Sequence, residues 1–272
     1  MKLFAYDDQP ADDFGVMWGL TQLDGWDDGW EGSGATDQRS QADGAWISPQ
    51  YASPRIIHLG GSIDADSWDA VTHAWNRWLA EIPFRSLAPL LVSVGEGTVP
   101  EQTALVRQHE KPILSRFDNR ADFSLSLLAP DPRKYATSVQ SVPLVLPILS
   151  GGIAPPLTPP ITITGSTSLS QATLTNDGTV TTYPVFTLTG PCPPATILNL
   201  TTSEAIRVVD AVPAGQTLVI DVLAGTAVTG GQSRRVLGSW WGLEPGPNEI
   251  AFRADGYDAA AGLTISYRSA WK

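Results

Sequence analysis

The stretch SWWGLEPGPNEIAF, residues 239–252, places two adjacent tryptophans before a Pro-Gly turn and an alternating strand. Neighbouring side chains in an extended segment point to opposite faces, so Trp240 and Trp241 cannot both enter one core. Trp241 has the same parity as Leu243, and we therefore predict that Trp241 is buried and that Trp240 lies on the other face. Trp240 is then left for a domain or subunit contact.

Short strand-like runs continue through the C-terminal half of the sequence at spacings of about ten residues. They cover residues 161–164, 172–175, 179–188, 196–202, 205–209, 217–222, 233–237, 248–252 and 263–267. Many short strands separated by Gly, Pro and Asn-Asp turns are typical of a two-sheet β-sandwich.

A proline-rich connection precedes this sandwich. Residues 135–176 carry no Asp, Glu, Lys or Arg, and residues 142–164 contain six prolines. Proline cannot continue a membrane helix or a central strand, so we expect an edge segment or an interdomain connection here. We place a domain boundary near Ala136, after the turn at Asp131-Pro132, with domains at 1–136 and 137–272.

The N-terminal half combines strands with one amphipathic helix. Residues 55–63 predict a strand that ends in a Gly-Gly turn, and residues 64–83 predict a helix that starts near Asp64 and Asp66 and stops at Pro83. Apolar residues recur in the helix at steps of three or four, and we interpret them as core rather than as a ligand site. They are Trp68, Val71, Trp75, Trp78, Leu79 and Ile82. Strands are expected at 87–94, 103–110, 111–117 and 123–127.

The chain of 272 residues is acidic, with a formal net charge of −11 at pH 7. This charge disfavours a high-affinity nucleic-acid binder, because such proteins neutralise phosphates with Lys and Arg. The acids are concentrated before Ala45, where they face only Lys2 and Arg39. They are Asp7, Asp8, Asp12, Asp13, Asp24, Asp27, Asp28, Glu31, Asp37 and Asp43.

Signals for export and for membrane insertion are not found in the sequence. Acidic residues appear before a signal-peptide core could form, and no apolar run approaches 18 residues. With Cys192 as the single cysteine, an intrachain disulfide is excluded. We expect a protein that is not inserted into a membrane.

Searches for catalytic, cofactor and metal motifs assign no residue to any of these roles. His58, His73 and His109 lack a second histidine at ligand spacing, and Cys192 lies in a Gly-Pro-Cys-Pro-Pro turn without an activating histidine. The acidic residues 24–37 fail the EF-hand pattern, since Trp26 and Ala35 stand where liganding oxygens are needed. We interpret 24–37 as a mobile acidic loop, and we predict that the protein is not an enzyme and needs no cofactor.

Several segments together resemble the distal tail proteins of bacteriophages with long non-contractile tails. The segments are TNDGTVTTYPVFTLTGP (175–191), AGQTLVIDVLAGTAV (214–228), SWWGLEPGPNEIAF (239–252) and LTISYRSAWK (263–272). The segment 123–135 is similar to the family's hinge between its two domains. The resemblance implies a mainly β protein with an N-terminal ring-forming domain, which carries the helix, and a C-terminal galectin-like β-sandwich.

The resemblance also implies a function and a set of partners. Members of the family form a six-membered ring in the virion, at the distal end of the tail, and are assembled in the host cytoplasm. The partners would be the tail tube protein, the tail-tip hub or tail-associated protein and the tape measure protein. DNA would pass through the lumen without specific binding, and we expect N-terminal carboxylates to line that channel and repel phosphates.

Two other functions remain open at this point. The sandwich could be a carbohydrate-binding module that holds host glycans on Trp240 or Trp241, for which the nearby polar candidates are Arg234, Arg235, Glu244 and Asn248. A wall-degrading enzyme would need a catalytic constellation that the sequence does not reveal.

Overall fold

A computed structural model describes residues 2–4, 16–93, 101–117, 120–147, 149–150, 166–167 and 170–272. The chain divides into two compact units, Met1–Thr137 with Trp271–Lys272, and Ser138–Ala270. Strands predominate in both, and the single helix found in the described residues lies in the first unit. The predicted mainly β fold with one helix is therefore confirmed.

The first unit contains a main sheet, the helix and two short hairpins. Its elements are β1 (Lys2–Phe4), β2 (Met17–Asp24), β3 (Gly32–Ser33), β4 (Thr36–Gln38), β5 (Ala45–Ile47), β6 (Tyr51–Ala52), β7 (Arg55–Asp64), α1 (Trp68–Glu81), β8 (Ala88–Ser93), β9 (Gln102–Gln108), β10 (Ile113–Phe117), β11 (Arg120–Ala129) and β12 (Lys134–Ala136). The main sheet runs in the order β1-β8-β9-β11-β7-β2, with β10 also paired to β11 and β12 to β9.

Strand β7 is longer than predicted. The predicted turn at Gly60 and Gly61 is wrong, because β7 continues through both glycines and pairs along its whole length with β11. A Cβ atom added to Gly61 would overlap the carbonyl oxygen of Gly19 and lie 2.7 Å from the Phe123 ring. The glycine thus permits close packing of a neighbouring strand and an aromatic ring.

Helix α1 begins after Ser67, whose side-chain oxygen accepts a hydrogen bond from the Ala70 N–H at 3.3 Å. This is an N-cap of the usual kind, and Asp69 adds a negative charge to the first turn. The helix start is therefore later than the sequence suggested, since Asp64 ends β7. The helix stops at Glu81, before Pro83, as predicted.

The tryptophans of α1 form part of the core. Trp75 and Trp78 lie against Phe123 of β11 and Trp18 of β2, with ring centroids 5.0 to 6.5 Å apart. Val71 is fully buried in the same cluster. These tryptophans therefore pack in the core, as predicted.

The second unit contains two antiparallel sheets, of six and five strands, and one two-stranded sheet. Its elements are β13 (Gln140–Val145), β14 (Leu149–Ser150), β15 (Ser166–Thr167), β16 (Gln171–Asn176), β17 (Val185–Thr189), β18 (Ala195–Asn199), β19 (Glu204–Val208), β20 (Thr217–Asp221), β21 (Thr226–Thr229), β22 (Gln232–Ser233), β23 (Val236–Gly238), β24 (Gly246–Ala254) and β25 (Gly262–Tyr267), followed by β26 (Ala270–Trp271). The sheet orders are β13-β25-β17-β20-β21-β22 and β16-β24-β18-β19-β23.

One continuous core joins the inner faces of these two sheets. It includes Phe186 and Ile265 from the first sheet and Ile197 and Phe252 from the second. Residues packed between two antiparallel sheets define a β-sandwich, as the strand spacing predicted. The proline-bearing strand β13 lies at a sheet edge, and the predicted strand at 161–164 lies outside the described residues.

Two predicted strands are shorter than expected. The run 179–188 becomes a strand only at Val185, because Pro184 has no N–H to donate and Thr182 instead pairs with Leu243 in an isolated bridge. The run 233–237 is divided between β22 and β23, which belong to different sheets. The chain crosses from one sheet to the other at Arg234 and Arg235.

Candidate interaction surfaces

The three histidines do not come together. His58 lies on β7, His73 on α1 and His109 after β9, and all three are exposed. Within the described residues no group of His, Cys, Asp and Glu is arranged to hold a metal ion. In the same part of the chain no helix is long and apolar enough to cross a membrane.

Cys192 is buried in the core of the sandwich, where its backbone pairs with Val212. Burial, together with the nearby Asp258 carboxylate, raises the pKa of the Cys192 thiol to about 11. A thiol that stays protonated at neutral pH is a poor nucleophile. This environment fits the interpretation of Cys192 as an inert core residue.

The two tryptophans of the 239–252 stretch separate as predicted. Trp241 is 2% exposed and Leu243 is fully buried, whereas Trp240 is 38% exposed. Trp241 therefore offers no platform to a ligand, and Trp240 alone remains available at the surface.

The polar residues considered for sugar binding do not gather around Trp240. Asn248 is fully buried and closes the turn, because its Oδ1 accepts from the Glu244 N–H at 2.9 Å and its Nδ2 donates to the Glu244 carbonyl at 2.7 Å. The Glu244 carboxylate accepts from the Thr181 hydroxyl at 3.2 Å. Arg234 and Arg235 precede β23 while Trp240 follows it, so the strand separates them.

A cluster of hydrogen bonds surrounds the buried Arg55 in the first unit, and nothing in the sequence indicates this cluster. Its Nη1 donates to the carbonyls of Gly25 at 2.6 Å, Trp26 at 2.9 Å and Asp28 at 3.1 Å. Its Nε donates to the carbonyl of Pro132 at 2.9 Å. One guanidinium thus joins the loop after β2 to the turn before β12.

Charged and aromatic side chains extend this cluster. The Lys134 ammonium lies 3.6 Å from the Asp27 carboxylate and 5.6 Å from the centre of the Trp26 ring. Burial is the main cause that lowers the pKa of Lys134, while Asp27 acts in the opposite direction. A cavity of about 170 Å³ adjoins the cluster and is lined in part by Trp30, Pro54 and Arg55.

The predicted hinge segment is fixed by Asp131. Its Oδ1 accepts from the backbone N–H and the Nη1 of Arg133 at 3.1 and 3.0 Å, and its Oδ2 accepts from the Tyr135 hydroxyl at 2.6 Å. Burial, reinforced by the charge of Asp131, raises the pKa of Tyr135 above its usual value. The turn at Asp131-Pro132 is therefore held by the hydrogen bonds that Asp131 accepts from Arg133 and Tyr135.

The acidic loop predicted at 24–37 is partly wrong, because its second half belongs to a β-hairpin. We call residues 31–53 the β-arm: β3 pairs with β6, β4 pairs with β5, and residues 39–44 form the turn. The arm exposes large apolar side chains, with Trp46 at 66%, Ile47 at 76% and Tyr51 at 73%. Large exposed apolar side chains grouped on one element are typical of an interaction site.

These features define the class of the chain: a two-unit β protein whose candidate functional regions are surfaces. Residues 177–271 match the sequence model of the siphovirus-type tail component, C-terminal domain. The resemblance to phage distal tail proteins is confirmed.

Comparison with solved structures gives the same fold over most of the chain. The crystal structure of the Dit protein of phage SPP1 matches with a TM-score of 0.64 and 12% identity, covering 94% of each chain. That protein is described as a paradigm of the hub adsorption apparatus in phages that infect Gram-positive bacteria. A chain of the activated phage P2 baseplate matches at a TM-score of 0.44 and 10% identity, over 92% of this chain and 90% of that one. A comparison with curated proteins gave no match.

Proposed function

We propose that the protein is a structural component of a phage virion that acts at the distal end of the tail. In this role it forms a hexameric ring that joins the tail tube to the tail-tip and host-recognition proteins and lets DNA pass. The observation that carries the proposal is the tail-component domain at residues 177–271. The fold that the whole chain shares with the SPP1 hub protein supports it.

Each half of the chain has a distinct part in the proposal. Residues 1–136 form the ring and contact the tail tube protein on one side and the tail-tip hub or tail-associated protein on the other, with the tape measure protein as a further partner. Residues 137–272 form a galectin-like sandwich. The large exposed side chains of the β-arm support an assembling role for the N-terminal part.

The net charge of −11 supports passage of DNA without retention. Phosphates are repelled by carboxylates and held by Lys and Arg, so an acidic bore lets DNA slide. We assign this role to N-terminal carboxylates. Asp7, Asp8, Asp12 and Asp13 lie outside the described residues.

Mass measurement of the purified full chain tests the ring. Size-exclusion chromatography with light scattering over a wide range of concentrations should give a mass near six chains, and electron micrographs of the same fraction should show six-fold particles. Because a ring can also require the tail as a template, antibody labelling of intact virions should mark the distal tail end.

Three results would contradict the proposal. The first is a monomer at every concentration combined with unlabelled tails. The second is a ring whose bore is basic, which would remove DNA passage from the proposal. The third is a monomer that binds glycans on an array, which would favour the carbohydrate-binding module.

A further inference from the structure

We propose that the β-arm of one copy docks onto a basic, apolar patch on the first unit of a second copy, so that the chains associate head to tail. The patch consists of Phe84, Arg85, Leu87, Leu105 and Arg107. This inference rests on the proposed ring and names the two surfaces that build it.

The β-arm has almost no core of its own. Of residues 31–53, all are exposed except Ala45, Ser48 and Ser53, which are half-buried. An isolated two-stranded hairpin is at best marginally stable in water. Trp46 and Ile47 are adjacent on β5 and point to opposite faces of the hairpin. A neighbouring surface that covers the Trp46 face would supply part of the apolar burial that the hairpin lacks.

The arm can reach a neighbouring molecule. Its base is closed by the hydrogen bond from the Ser53 N–H to the Glu31 carbonyl at 2.7 Å, and its turn by that from the Arg39 N–H to the Gly44 carbonyl at 3.2 Å. The eight residue steps from Glu31 to Arg39 span about 26 Å when the chain is extended.

The charge of the arm is negative. Glu31, Asp37 and Asp43 are its acids, and Arg39 is its one base. The Arg39 guanidinium lies over the Trp46 ring at 4.7 Å. A partner surface must therefore combine apolar side chains with positive charge.

The patch has that combination and is assembled by the main sheet. The Gln108 N–H donates to the Pro83 carbonyl at 2.7 Å, which brings the loop after α1 beside the end of β9. Leu105 and Arg107 lie on one face of β9, since they are two residues apart on a strand. Phe84, Leu87 and Leu105 are all exposed, with Phe84 at 70%.

Two arginines give the patch its positive charge. Arg85 and Arg107 are exposed, and neither forms an ion pair within the part of the chain that the structure describes. The acids of the arm would meet these guanidinium groups while its aromatic residues cover the leucines. Complementary charge around an apolar centre is the usual arrangement of a specific protein interface.

A second copy of the chain is the occupant to which these features point, because every copy carries both surfaces. The arm and the patch differ from each other, so the contact is heterologous rather than two-fold symmetric. Heterologous contacts generate a ring if the rotation closes, and this agrees with the ring proposed above.

Photo-crosslinking tests the contact directly. The full chain is prepared with p-benzoylphenylalanine in place of Trp46, and unlabelled protein is mixed with ¹⁵N-labelled protein so that crosslinks between copies are recognised by mass. We expect crosslinks between copies to peptides 83–89 or 103–109. The control probe replaces Tyr257, which is 56% exposed in the second unit, and should not give these products.

Charge reversal gives an independent readout. Asp37→Arg with Asp43→Arg in the arm, or Arg85→Glu with Arg107→Glu in the patch, should each raise the concentration for half-association at least about tenfold. An equimolar mixture of the two variants should restore assembly, because each arm then meets a patch of opposite charge. Glu249→Arg in the second unit is the control and should assemble as the unaltered protein does.

The outcomes separate the docking from the proposed function. Rings that form while crosslinks fall elsewhere, or while both reversed variants assemble normally, overturn the docking and leave the ring intact. Crosslinks to the patch in an assembly that is not six-membered support the docking and contradict the hexamer. Protein that gives no crosslink between copies overturns the docking, and it overturns the proposed function as well when the antibody leaves the tails of intact virions unlabelled.

Discussion

The ring of Trp241 packs edge-on against the ring of Phe186, with the ring centroids 5.2 Å apart and the planes at 60°. The contact joins the stretch 239–252 to strand β17 inside the sandwich core. Trp240, the residue next to Trp241, is partly exposed and belongs to no core cluster of the described residues.

Trp241→Ala should lower the free energy of unfolding by about 3–5 kcal/mol, as a large-to-small core change does. Trp240→Ala should cost less than about 1 kcal/mol, because its indole is partly hydrated in the native state. Urea denaturation of the two variants measures both values. Equal losses would show that the burial of the two rings has been assigned wrongly.

Arg55→Lys should destabilise the first unit by about 2–4 kcal/mol, although the charge is kept. A single ammonium cannot reproduce the fork of Nε and Nη1 donors, so buried carbonyls lose their partners. Arg120→Lys is the matched control: its side chain is 55% exposed, and we expect a change below about 1 kcal/mol. Similar unfolding curves for the two variants would contradict the role of Arg55.

Lys134→Met should be neutral or stabilise the first unit by up to about 2 kcal/mol at pH 7, because it removes a charge whose burial is only partly offset by Asp27. Since burial lowers the pKa of Lys134 in the folded state, the unfolded chain binds more protons as the pH approaches 10.5. The stability of the unaltered protein therefore rises with pH relative to the variant in that range. Denaturation series at pH 7 and at pH values approaching 10.5 test this, and the opposite trend would contradict it.

Cys192 should not react with a disulfide reagent such as dithionitrobenzoate at pH 8 while the protein is folded. With a pKa of about 11 the thiol is almost entirely protonated, and it is also buried. Reaction should follow the rate of unfolding in urea, and Cys192→Ser provides the baseline. Rapid labelling of the native protein would contradict the buried environment.

Sequence-based prediction succeeds where apolar residues recur at the regular spacing of a strand or a helix. The alternation of Phe123, Leu125 and Leu127 with polar residues predicted a half-buried strand, and all three are buried in β11. The steps of three and four from Val71 to Trp78 predicted the apolar face of α1. In both cases a regular backbone period places every second, or every third to fourth, side chain on one side.

The remaining features depend on contacts that produce no regular spacing of apolar residues in the sequence. Arg55 and Pro132 are 77 residues apart, and a carbonyl acceptor has no side-chain signature. The loop prediction at 24–37 is wrong for residues 31–37, because the strands of the β-arm bury neither face and so show no apolar alternation. Gly61 was assigned to a turn because glycine marks turns and close packing equally well in a sequence.

The guanidinium of Arg55 occupies the position that an ion takes in a calcium-binding loop: carbonyl oxygens of Gly25, Trp26 and Asp28 converge on it. A cation held by a covalent side chain cannot be extracted by a chelator or lost on dilution. We therefore expect the order of this loop to be independent of the calcium concentration, and EDTA should leave the stability of the first unit unchanged.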